Sequence, residues 1–108
     1  MKNQLAKNEL TMQKRIAAAR ESQDSKIIQS FLYDVEQEVR IAAASNISAT
    51  PEVVAMYLKD LSPYVRAAAA DNDAIDEKDL LRASADEYAI VRESAIANIR
   101  RRIRQGKL

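Results

Sequence analysis

The sequence has no cysteine, no histidine and no tryptophan, and only one glycine, one phenylalanine and two prolines in 108 residues. Without cysteine there is no disulfide framework and no thiolate zinc or iron–sulfur site. Without histidine the chain lacks the commonest general base and the commonest metal ligand. The single glycine, Gly106, stands near the C-terminus, which excludes glycine-rich phosphate loops and the dinucleotide fingerprint. The longest uninterrupted apolar run is the six residues from Val53 to Leu58, far short of the ~20 that span a bilayer. The first residues carry no apolar secretory stretch. These absences lead us to expect a soluble, cytoplasmic protein with no membrane partner, no cofactor, no metal and no catalytic activity.

What is present is small and charged. Hydrophobic residues make up 47% of the chain and charged residues 31%. Nineteen of the residues are alanine. A chain of this size buries roughly two thirds of its unfolded surface, so a core this rich in alanine must be thin, with backbones packed close. The formal net charge of +1 hides a segregation: residues 1–20 carry +4, residues 21–98 carry −8 and residues 99–108 carry +5. We read one domain, with an N-terminal segment or cap (1–20), an acidic body (21–98) and a basic C-terminal cap (99–108).

The body repeats itself, a feature to be sought before any other. Asp34 is followed by Val39-Arg40, Ala42-Ala43 and Asn46. Asp60 is followed by Val65-Arg66, Ala68-Ala69 and Asn72. Asp86 is followed by Val91-Arg92, Ser94-Ala95 and Asn98. The period is 26 residues. Arg15-Ile16-Ala17-Ala18-Ala19 is a degraded earlier copy.

Each copy reads as two short helices. The first type covers about Glu36 to Ser45, Ser62 to Asp71 and Glu87 onward. Val39, Ala42 and Ala43, with Val65, Ala68, Ala69 and Val91, Ser94, Ala95, form its apolar stripe at i, i+3, i+4 spacing. The second type covers about Asp24 to Leu32, Thr50 to Leu58 and Asp76 to Ala83, with Asp24, Thr50 and Asp76 as N-caps. Its larger apolar groups are Ile27, Ile28, Phe31, Val53, Val54, Tyr57, Leu80 and Leu81. With the degraded copy this makes four first-type and three second-type helices, plus a short cap over Lys2 to Asn8. No strand pattern competes. The fold class is all-α: an α-solenoid of about four stacked two-helix repeats, each too small to bury its own faces.

The Asp…Val-Arg-x-Ala-Ala-x-x-Asn pattern, followed by Thr50-Pro51-Glu52-Val53-Val54, resembles the leucine-rich repeat variant, a short relative of HEAT-like helical repeats. The resemblance covers roughly residues 5–103. It implies a right-handed superhelix of α-helices stacked on 3₁₀ helices, and a binding surface rather than a reaction. The chain departs from the pattern in two ways. Ile47, Asp73 and Ile99 stand where the family tends to place proline, and the period is slightly long. The second helices are therefore either α or 3₁₀.

Several rows of residues have both a structural and a functional reading. Arg40, Arg66 and Arg92 either form an inter-repeat ladder with Asp34, Asp60 and Asp86, which suits bidentate pairing, or line a phosphate groove. The ladder is favoured because Asp recurs in register. Asn46 and Asn72 are read as helix caps in the left-handed conformation rather than a polar track, and Asn98 less so because its helix runs on. Arg100, Arg101, Arg102, Arg104 and Lys107 either contact nucleic acid or form a solvated cap suited to a helix C-terminus. Tyr64 and Tyr88 are the candidates for a protein-binding surface, and Tyr57 is read as core. The acidic run Asp71, Asp73, Asp76, Glu77 and Asp79 matches no calcium loop.

The leading functional expectation is a non-catalytic helical-repeat adaptor that binds another, unidentified protein through its solenoid surface. The alternative is a nucleic-acid-binding module acting through its basic ends. The acidic body disfavours nucleic acid along the solenoid, and open solenoid ends leave self-association possible.

Overall fold

A computed structural model of the protein describes the backbone of residues 4–108 and the side chains of residues 11–108. Among the described residues the chain is all-helical, without strands. Its helices are α1 (Gln4–Glu21), α2 (Ser25–Ser30), α3 (Gln37–Ala44), α4 (Pro51–Tyr57), α5 (Pro63–Asp71), α6 (Glu77–Ala83) and α7 (Ala89–Arg104). The short second-type elements α2, α4 and α6 are α-helices, not 3₁₀. A separate cap over Lys2 to Asn8 does not form: from Gln4 onward those residues belong to α1, with no proline or glycine to interrupt it. Lys2 and Asn3 lie outside the described residues.

Local chemistry sets the helix starts. Asp24 accepts the Lys26 backbone N–H at 2.9 Å, Thr50 accepts that of Val53 at 3.3 Å, and Asp76 accepts that of Lys78 at 2.7 Å. Each satisfies a donor that the first turn leaves orphaned. At α3, α5 and α7 a further contact acts, in addition at α5 to the Ser62 Oγ cap that accepts the Tyr64 N–H at 3.2 Å. Two residues before each N-cap, Asp34, Asp60 and Asp86 accept the N–H groups of Glu36, Ser62 and Tyr88 at 2.9–3.0 Å. At the other end of the chain, Gly106 adopts φ 71°. It closes α7 with Lys107 N–H bonded to Arg102 O and Gly106 N–H bonded to Ile103 O, the paired bonds of a Schellman ending.

Helix α1 packs against α3, α3 against α5, and α5 against α7. The short helices flank them: α2 touches α1, α3 and α4, α4 touches α3 and α5, and α6 touches α7. The core between them is built from Ala19, Val39, Ala42–Ala44, Val65, Ala69, Ala70, Val91 and Ala95 on the long helices, and from Ile28, Val53, Val54, Tyr57 and Leu80 on the short ones. Alanine on the contact faces lets the backbones approach closely, and the short helices supply the bulk. Tyr57 is fully buried and donates its hydroxyl to Ile28 O at 2.5 Å. Burial, reinforced by Asp60 and Asp34, pushes its phenol above its ordinary titration range. The apolar stripe differs from the expected one at Ala68 and Ser94, which are half-buried, and at Ile27 and Leu81, which are exposed. A six- or seven-residue helix has one narrow buried edge, and Ile28 and Leu80 occupy it.

Candidate functional site

Two ladders of polar side chains tie successive copies together. In the first, Arg40 and Arg66 each bridge two aspartates. Arg40 grips the Asp60 carboxylate through Nε (2.9 Å) and Nη2 (3.4 Å), while its Nη1 donates to the Asp34 carbonyl at 2.8 Å. Arg66 does the same with Asp86 (3.0 and 3.3 Å) and the Asp60 carbonyl (2.7 Å). Arg15 grips Asp34 through Nε and Nη2. The aspartates therefore do two jobs: they start their own helix and receive the arginine of the preceding copy. These carboxylates are 8–17% exposed, sheltered enough for bidentate pairs to count. Burial pushes the Asp86 carboxyl up. The Arg66 hydrogen bond, the Tyr88 N–H and the charges of Arg66 and Arg92 outweigh this and hold it below the ordinary carboxylate value. The hydrogen bond to Asp86 likewise raises Arg66.

The second ladder corrects the reading of the asparagines. None is left-handed: every residue with positive φ among those described is glycine, and Asn72 is extended (φ −71°, ψ 129°). Their side chains instead cap the neighbouring helix. Asn46 Nδ2 donates to Ala19 O and Ser22 O (2.9 and 2.8 Å), at the end of α1. Asn72 Nδ2 donates to Ala44 O and Asn46 O (both 2.9 Å), at the end of α3. Asn98 Nδ2 donates to Ala70 O and Asn72 O (2.9 and 3.2 Å), at the end of α5. The first two complete themselves by accepting the N–H two residues on, from Ser48 and Ala74. Asn98 sits inside α7, where the corresponding N–H belongs to the helix, so its buried Oδ1 has no partner.

The C-terminal cations divide into two groups. Arg101 bonds Asp71 and Asp73 at 2.9 and 3.2 Å, and Arg102 bonds the carbonyls of Asp73 and Ile75. The hydrogen bond to Asp71, reinforced by that to Asp73, raises Arg101. Both arginines thus clamp α7 onto the loop after α5. The side chains of Arg100, Arg104 and Lys107 are exposed and have no hydrogen-bond or ion-pair partner among the described residues. The acidic run does not converge on a cation: Asp71 and Asp73 hold Arg101, Asp76 caps α6 and Asp79 faces Arg82. Among the described residues no cluster of three acidic side chains could hold a metal ion, and no helix is long and apolar enough to cross a membrane.

A groove of about 710 Å³ lies beside the first ladder, between the C-terminal ends of α2 and α4. Leu32, Tyr33, Met56 and Leu61 give it apolar walls, and Arg40, Asp34 and Asp60 belong to its lining. Tyr33 is 90% exposed and Leu61 96%. A second groove of about 310 Å³ lies one 26-residue step along, with Ala55, Leu58, Lys59, Arg82 and Asp86. Lys59 and Arg82 stand there in place of Tyr33 and Met56, so apolar character is concentrated in the first groove. Tyr64 and Tyr88 are about half-exposed on the long-helix side and line neither groove. The Tyr88 ring lies 5.3 Å from the Arg66 guanidinium. Tyr33 and Leu61 were not among the sequence candidates. The signal for them was present: each flanks a ladder aspartate, outside every apolar stripe.

The chain matches no protein-family model, no curated protein and no solved structure.

Proposed function

We propose that the chain is a non-catalytic adaptor that binds another protein through the groove between α2 and α4. The observation carrying this reading is the juxtaposition of solvent-facing Tyr33 and Leu61 with the apolar walls of Leu32 and Met56. Exposed apolar residues gathered in a groove, rather than scattered singly, characterise interaction sites. The ladders support the architectural part of the reading, a right-handed α-solenoid of about four two-helix repeats of the leucine-rich repeat variant and HEAT-like kind. Each ladder recurs at 26 residues and couples one copy to the next, as nearest-neighbour stacking requires.

The test is saturable capture of a protein by the immobilised chain, compared with Tyr33→Glu and Leu61→Glu. Capture lost in both variants at unchanged melting temperature supports the groove; capture that survives both refutes it. The alternative, nucleic-acid binding, draws on Arg100, Arg104 and Lys107, whose side chains face solvent without partners among the described residues. Its signature is affinity for labelled duplex DNA that falls steeply with salt and is lost on deleting residues 103–108.

A further inference from the structure

The arginine ladder has four arginines and three carboxylates. Arg15, Arg40 and Arg66 each hold a following aspartate through Nε and Nη2. Arg92 is held like them: its Nη1 donates to Asp86 O at 2.9 Å and to Glu87 O at 3.0 Å, as Arg66 Nη1 does to Asp60 O and Leu61 O. No carboxylate reaches its Nε and Nη2 among the described residues. The guanidinium is therefore pinned as those of Arg40 and Arg66 are, in the orientation they use for a bidentate carboxylate, and no carboxylate among the described residues fills that side.

The helix face around Arg92 is open as well. One turn on from Arg40 and Arg66 stand Ala44 and Ala70, both fully buried beneath the next long helix. The corresponding residue on α7 is Ile96, 38% exposed, and Ile103, two turns further on the same face, is 57% exposed. Arg100 and Arg104 border the stripe, and Glu93 is the one acidic residue on it. The face is thus apolar along its centre and cationic at its margin, with a carboxylate receptor at its N-terminal end.

We propose that this face of α7 docks a helix of another protein that carries an aspartate or glutamate just ahead of its first turn, the carboxylate completing the Arg92 rung. Charge disfavours a second copy stacked through α7 or α1. A second α7 would bring arginine to arginine. A copy stacked through α1 would bring Asn8, the residue 26 before Asp34, which is an amide and offers no carboxylate. The inference extends protein binding to a second surface and does not depend on the groove.

The probe is a lactam-stapled peptide of residues 58–72 of this chain, which contains Asp60 ahead of a helix, with its helicity established by circular dichroism. It is titrated into the ¹⁵N-labelled full chain, and the Arg92 Nε–H resonance is followed. We expect a saturating shift at Arg92 and along Ile96 and Arg100. Affinity should fall at least about tenfold for the Asp60→Asn peptide and for the Arg92→Lys protein, which keeps the charge and loses the fork. No shift up to about 1 mM peptide, or equal affinity for the two peptides, overturns the proposal. Concentration-dependent self-association without peptide, abolished by Ile96→Ser, also overturns it and assigns the face to a second copy. Loss of groove binding in Tyr33→Glu leaves this titration unchanged, so the two readings fail separately.

Discussion

Replacing Asn72 with alanine tests the cross-helix capping directly. The side chain makes three hydrogen bonds, from Nδ2 to Ala44 O and Asn46 O and from the Ala74 N–H to Oδ1, all at 2.9 Å. The residue is 7% exposed, so water does not readily replace them. At about 1 kcal/mol each, the loss comes to about 3 kcal/mol. For a domain of this size that lowers Tm by roughly 10–20 °C. The control is Asn98→Ala. It removes two bonds, and it also removes an oxygen that already lacks a partner, so its cost should be about 1 kcal/mol. Both truncations delete the same atoms, so their cavity costs largely cancel in the comparison. Urea unfolding followed by circular dichroism reads both. The reasoning fails if Asn72→Ala lies within about 0.5 kcal/mol of the wild type, or if Asn98→Ala costs as much.

Three further outcomes follow from the same geometry. Arg66→Ala should cost about 2–3 kcal/mol in urea unfolding, since it leaves the sheltered Asp86 carboxylate without its bidentate partner. Because the folded-state titration of Asp86 is depressed, its stabilisation is complete above the unfolded carboxylate value of about 3.9 and is lost as pH falls below it; Asp86→Asn should therefore flatten stability between about pH 5 and pH 2, measured as Tm against pH. Tyr57→Phe should cost about 1 kcal/mol, because it removes the buried hydroxyl's hydrogen bond and leaves the Ile28 carbonyl only the longer bond from the Phe31 N–H; no change in urea unfolding would mean that the longer bond suffices.

Helix identity and register were legible in the sequence because they rest on local chemistry. The N-caps Asp24, Thr50 and Asp76 act within three residues of themselves, and the helix pairs follow the 26-residue spacing of Asp, Arg and Asn. The asparagines were misread for the same reason. A side chain at a helix end suggests a cap for its own helix, whereas Nδ2 of Asn72 reaches carbonyls 26 and 28 residues away. Sequence spacing could pair Arg40 with either Asp34 or Asp60. Packing resolves the choice by giving the Asp34 backbone and the Asp60 carboxylate to different nitrogens of one guanidinium.

The sequence by itself determined the helices and the recurrence of a polar triad, because propensity, capping and periodicity act over a few residues. Only the tertiary structure decided which arginines remain free. Arg101 and Arg102 are taken up by a loop about 30 residues away, and Arg92 meets no carboxylate among the described residues. Only the tertiary structure, too, brought Tyr33, Met56 and Leu61 into one groove. Such contacts depend on where separate helices stop and turn, and that is set by how their alanine faces close on one another.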